Sequence, residues 1–160
     1  MPNTAVTGVW AAQFFDHVTD ARVALERAQR IAEIKRDAAL SIPDSLARLG
    51  SISGRGTHAD PMRAVDEAID AYFEIQKGPE YEWARQALVD CGTVLAHARA
   101  TGDANLVLGA DIADLKYVHG YKKAEIIKFV YVSNATLYRA LAALTRWMDS
   151  QDPEVLTTPA

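Results

Sequence analysis

The sequence predicts an all-α fold of about six helices: a long N-terminal helix, a helical bundle and a C-terminal helix-turn-helix. Three observations predict it. Apolar residues recur at spacings of three and four, the helical period. No strand-like alternation of any length is present. Proline and glycine fall where helices start or stop.

The first helix is predicted over about residues 9–40. Phe14, Val18, Ala21, Leu25, Ala28 and Ala32 follow a 4-3-4-3-4 rhythm, with Arg22, Glu26, Arg30 and Glu33 on the opposite face. Such a narrow stripe suits packing on the rest of the chain or on a second copy. Phe14, Val18, Ala21, Leu25 and Ala28 are therefore the candidate oligomerisation seam of a homo-oligomer. Pro43 is expected to end this helix, with Leu46 and Leu49 in one further turn. Residues 50–58 are small and polar and read as a loop. Their three glycines lack the flanking pattern of a phosphate cradle.

Asp60-Pro61 predicts the next helix start, because aspartate caps free amides and proline at the first position loses no needed donor. This helix runs to about residue 77, with Val65, Ile69, Tyr72, Phe73 and Gln76 in register. Gly78-Pro79 breaks it. Over 80–100, Ala84, Leu88, Cys91, Leu95 and Ala98 mark a long buried face. Thr101-Gly102 closes that helix, and Asp103 caps a successor holding Leu108, Ile112 and Leu115, which reaches about residue 119. Gly120 stops it. Two segments follow, at 122–130 and 133–148. The organisation expected is an N-terminal helical arm over 1–49, a Gly/Ser-rich loop over 50–61, a helical domain over 62–150 and a flexible tail over 151–160. The helix-turn-helix occupies 121–148.

Composition narrows the function classes. Apolar residues make up 49% and charged residues 24% of 160 residues, a globular balance. No apolar run approaches a membrane span, and residues 1–10 lack a secretory pattern. A single cysteine, Cys91, excludes an internal disulfide and a cysteine-based zinc site. These features predict a cytoplasmic protein. The formal charge of -4 excludes a generally basic coat. The charge is uneven, however. Residues 1–104 carry 11 Lys and Arg against 15 Asp and Glu, whereas residues 105–150 carry six against four. The C-terminal third is the stretch suited to a polyanion.

That third holds the chemistry. In its first helix Ile126, Ile127 and Val130 point inward, and Tyr131-Val132 makes the turn. Ser133 is an N-cap type and opens the second helix. Leu137, Leu141, Leu144 and Met148 form its buried side, beside Ala140 and Trp147. The other side shows Asn134, Ala135, Tyr138, Arg139 and Arg146. Asn134 has the donor and acceptor that an adenine edge needs, and Arg139 can grip a guanine or a phosphate with two parallel bonds. Tyr138 suits a phosphate or a sugar. Lys122, Lys123 and Lys128 are placed to hold the backbone. The candidate DNA-binding set is therefore Lys122, Lys123, Lys128, Ser133, Asn134, Ala135, Tyr138, Arg139 and Arg146, with double-stranded DNA as the partner.

The stretch LKYVHGYKKAEI at 115–126, then Val132-Ser133, Thr136-Leu137-Tyr138-Arg139 and Ala143-Leu144, resembles the C-terminal part of phage transcriptional activators of the RinA/ArpU type. The resemblance implies a helix-turn-helix like region four of sigma factors. It also implies a phage or prophage regulator of transcription, with RNA polymerase as a further candidate partner. The upstream order is similar over most of residues 10–150. The sequence departs from the family pattern at Ile127, where alanine is usual, at Tyr131, where glycine is frequent, and at Lys123, where tryptophan is frequent. These departures predict a wider helix crossing, or a fold kept without DNA binding.

The alternative is a non-enzymatic protein-interaction module, docking on polymerase or serving in packaging like a small terminase subunit. His17, His58, His97 and His119 share no metal-type spacing. Glu74, Glu80, Glu82 and Asp90 flank a break and make no defined acid pair. Trp10, Trp83 and Trp147 read as core or interface anchors. No nucleophile, base and oxyanion donor can be assembled, so neither catalysis nor a cofactor or metal is expected.

Overall fold

The computed structural model describes residues 10–49, 63, 66, 67, 69, 70 and 78–160, with side chains described to residue 38 in the first stretch. Among the described residues every regular element is helical and none is a strand. The six helices are α1 (Trp10–Leu49), α2 (Glu82–Ala100), α3 (Ala104–Ala113), α4 (Lys123–Val130), α5 (Asn134–Asp149) and α6 (Pro153–Leu156). A 3₁₀ turn at Pro79–Tyr81 precedes α2, and a π turn at Asp114–Val118 extends α3. The chain divides into two units, Met1–Val23 with Trp83–Ala160, and Ala24–Glu82.

Two expectations about ends are corrected. Helix α1 continues through Pro43 to Leu49. Proline removes one hydrogen bond and crowds the preceding turn, at a cost of about 3 kcal/mol, but its fixed φ is still helical. A proline is thus a local penalty rather than an obligatory stop. The tail after Asp149, expected to be flexible, forms α6 instead. The Asp152 carboxylate accepts the Glu154 amide at 2.9 Å, Pro153 takes the first position, and Leu156 is buried. Asp152-Pro153 is the same start signal that the sequence shows at Asp60-Pro61. The expected loop at 50–58, the Asp60-Pro61 start itself, and Val65, Tyr72, Phe73 and Gln76 lie outside the described residues. Arg63, Asp66, Glu67, Ile69 and Asp70 are helical.

In the first unit, Ala11, Phe15 and Val18 of α1 pack with Cys91, Val94 and Leu95 of α2, Ala110 of α3 and Leu144 and Met148 of α5. Fully burying each Leu, Val or Met contributes about 2 kcal/mol. Phe15 takes the inner position that the stripe assigned to Phe14, which is half-buried beside it, and Phe15 stacks on Tyr117 with centroids 4.2 Å apart. Polar contacts tie the start of α1 to the end of α5. The Trp10 indole donates to the Met148 carbonyl at 2.8 Å, and Asp149 accepts the Ala11 amide at 2.9 Å. Trp10 and Trp147 pack on this core as anchors, whereas Trp83 is exposed beside His17.

Val18, Ala21, Leu25 and Ala28 are buried within the single chain, and Phe14 packs against its core. The heptad-like rhythm here serves burial inside one chain. A 4-3 stripe records only that one helix side is apolar, and it does not say which surface covers that side.

Helices α3 and α5 approach closely at Gly109. A Cβ added at Gly109 would lie 2.6 Å from the Ala140 carbonyl oxygen and 3.0 Å from the Leu144 Cβ. Neither atom belongs to a flexible side-chain end, so the helices themselves would have to separate. Gly109→Ala is expected to destabilise the fold by about 1–3 kcal/mol despite the better helix propensity of alanine. Urea denaturation reads this as a lowered midpoint, and an unchanged midpoint would contradict the close crossing.

Candidate nucleic-acid interface

The interface is built outward from α3. Asp103 caps that helix, its carboxylate accepting the Asn105 and Leu106 amides at 2.9 and 3.2 Å. The π turn then widens the helix end. The His119 amide reaches back to the Asp114 carbonyl at 3.1 Å, and the Tyr121 amide to Leu115 at 2.9 Å. Gly120 adopts φ +75°, the left-handed geometry that suits glycine at a helix end. Arg22 of α1 closes this end from outside. Its Nε donates to the Tyr117 carbonyl at 3.1 Å, placing a cation at a helix C-terminus. The guanidinium lies where a Cβ on residue 120 would be, 2.9 Å from Cζ, so Gly120 also makes room for the cap.

Helix α4 begins with a reciprocal contact. The Lys122 amide donates to Glu125 Oε1 at 3.1 Å, while the Glu125 amide donates to the Lys122 carbonyl at 2.9 Å. Tyr131 ends the helix in the left-handed region, φ 53° and ψ 48°, with its amide on the Ile127 carbonyl at 2.9 Å. Three residues, Tyr131, Val132 and Ser133, separate α4 from α5. Ser133 caps α5, its hydroxyl accepting the Thr136 amide at 3.2 Å. Behind the turn, Ile112, Ile126, Leu137 and Ala140 form a buried cluster, with Leu108, Leu115, Ile127, Val130, Val132 and Leu141 packed around it.

Ile127 is half-buried at the edge of the cluster, and the tight approach falls at Gly109 against Ala140 instead. An isoleucine therefore fits without parting α3 from α5.

All nine predicted DNA-binding residues are exposed: Lys122, Lys123, Lys128, Ser133, Asn134, Ala135, Tyr138, Arg139 and Arg146. Asn134, Ala135, Tyr138 and Arg139 share the side of α5 opposite Leu137, Ala140 and Leu144. Each acid of this region has a structural partner. Asp111 pairs with Arg99 at 3.1 Å, Asp114 contacts His119 at 3.3 Å, Glu125 caps α4, and Asp149 holds the Ala11 amide. Among the described residues no acidic side chain pairs with Lys122, Lys128, Arg139 or Arg146. Over residues 105–150 Lys and Arg outnumber Asp and Glu six to four, although the whole chain is acidic.

Lys123 and Tyr138 meet across the two helices. The ammonium donates to the phenol oxygen at 3.0 Å and sits 4.9 Å from the ring centroid. That hydrogen bond, and then the Lys123 charge, pull the phenol below its ordinary value, with Lys116 adding to the effect. Sequence reasoning named both residues but not their contact, because nothing in a spacing of 15 predicts it. The Arg22 cap was likewise invisible, coming from 95 residues upstream.

Among the described residues no group of three or more His, Cys, Asp or Glu could hold a metal ion, and no helix is long and apolar enough to cross a membrane. Burial pushes the Cys91 thiol up to about 12, Asp114 adds to the rise, and Arg99 opposes it. The thiol stays neutral and poorly nucleophilic at ordinary pH. No family model, curated protein or solved structure matches the chain.

Tyr131 carries backbone strain with its side chain 92% exposed. A left-handed non-glycine residue costs about 1–2 kcal/mol, partly offset in a glycine variant by greater unfolded-chain entropy. Tyr131→Gly is expected to stabilise the fold by up to about 1 kcal/mol, read as a raised melting temperature. A lowered one would show that the aromatic ring contributes more than its backbone costs.

Proposed function

We propose that this chain is a sequence-specific DNA-binding regulator of transcription that enters the major groove with the polar side of α5. One observation carries it. Asn134, Tyr138 and Arg139 stand together on an uncovered helix face, flanked by bases that form no ion pair with a described acid. The helix start is stabilised by Ser133, so the residues nearest the cap can approach a groove with their backbone already ordered. Asn134 and Arg139 supply base discrimination of about 1–3 kcal/mol each, and Lys122, Lys123, Lys128 and Arg146 supply phosphate contacts. The resemblance of residues 115–144 to phage activators of the RinA/ArpU type supports a phage or prophage setting and a cytoplasmic location.

A second reading, a protein-docking module, is favoured by the aromatics beside the turn. Phe129 is 58% exposed, lies tilted against Tyr121 with centroids 5.2 Å apart, and neighbours the protruding Tyr131. In that role polymerase or a packaging component is the partner. Phe129→Ser would then abolish function and Arg139→Glu would not.

Fluorescence anisotropy on labelled duplexes tests the DNA-binding role. The wild-type chain is expected to bind at low salt, with affinity falling steeply as salt rises. Arg139→Glu is expected to weaken binding at least a hundredfold, since it removes one favourable charge and adds a repulsive one. A wild-type chain that leaves phage-promoter and random duplexes unbound at low salt would overturn the assignment.

A further inference from the structure

We propose that Lys123 and Tyr138 act as one composite seat for a single phosphate oxygen of the duplex, with Lys123 orienting the phenol, rather than as two independent contacts. This deepens the DNA-binding role above and rests on it. The two residues come from different helices, the first position of α4 and the second turn of α5, and meet at 3.0 Å. An ammonium has only donors, so the phenol oxygen is the acceptor in that bond. Its own proton is then left to donate outward. Lys123 keeps two further N–H donors. The pair therefore presents donors, and its one good acceptor is already engaged.

A site of that kind selects its ligand by chemistry. It suits an acceptor-only, negatively charged group, which in a duplex is a phosphate oxygen. An adenine or cytosine amino group would bring a donor against donors. The nearby acids do not compete for the seat. Glu125 is held on the Lys122 amide and Asp114 on His119. Lys116 adds positive potential at the phenol from the π turn, and a more acidic phenol is a stronger donor. The cation 4.9 Å from the ring centroid also holds the ring in place, so less side-chain freedom is lost when the ligand arrives.

The test is a double-mutant cycle on the full-length chain. Duplex binding is measured by anisotropy for wild type, Lys123→Gln, Tyr138→Phe and the double variant, with circular dichroism confirming equal helix content. Each single variant is expected to lose about tenfold in affinity, the scale of a charge-assisted hydrogen bond. The double variant is expected to be about as weak as Lys123→Gln alone, because the phenol works only when Lys123 orients it. Lys123→Gln is also expected to reduce the salt slope by about one phosphate equivalent, and Tyr138→Phe to leave it unchanged. A double variant weaker by about a hundredfold, the product of independent losses, would overturn the composite seat. So would single variants that bind like wild type. Both outcomes leave the DNA-binding role standing, whereas a wild-type chain that binds no duplex removes that role and the seat together.

Discussion

The crossing of α3 against α5 at Gly109 and Ala140 is the constraint from which the rest of the C-terminal unit follows. With no side chain at residue 109, the backbone of α3 comes within contact of the Ala140 carbonyl. That closeness lets Ile112 and Leu137 share one small cluster with Ile126, which fastens the short α4 to both longer helices. A helix of eight residues would be marginal alone, so α4 depends on this packing and on its reciprocal Glu125 contact. Once the inner side of α5 is committed to α3 and α4, its opposite side must face outward. The orientation of Asn134, Tyr138 and Arg139 is thus set by a glycine some thirty positions upstream.

Charge follows the same logic. The chain is acidic overall, yet the acids nearest the candidate face each do structural work: Asp111 on Arg99, Asp114 on His119, Glu125 at a helix start and Asp149 on the Ala11 amide. Each is held in place by its partner, and among the described residues none pairs with Lys122, Lys128, Arg139 or Arg146. A formal charge of -4 therefore says little about this surface. Averages over a chain hide fields that depend on which groups are paired.

Local signals in the sequence were legible where one residue type has one physical use. Asp103 and Ser133 cap, Gly120 turns left-handed, and the 4-3 spacing of Leu137, Leu141, Leu144 and Met148 marks an inner side. Signals failed where the outcome depends on a distant partner. Pro43 was expected to stop a helix that continues past it. The tail holding Leu156 was expected to fray, because its few apolar residues gave no period, yet a pocket between other elements buries it. The stripe of α1 left open whether the chain itself or a second copy covers it, and Val18, Ala21, Leu25 and Ala28 are buried within one chain. Phe14 and Phe15 are adjacent and both aromatic, so periodicity alone could not decide which one turns inward. The Lys123–Tyr138 bond and the Arg22 cap are long-range pairings of ordinary surface residues, which no spacing rule reveals.

The most direct measurement is a two-dimensional amide NMR titration of the full chain with a short duplex at low salt. Shifts are expected to concentrate on residues 122–123 and 133–139, spreading along the outer side of α5 towards Arg146, with α2 and α6 unperturbed. Shifts confined to Phe129, Tyr131 and their neighbours, or a spectrum that the duplex leaves unchanged, would contradict the DNA-binding role.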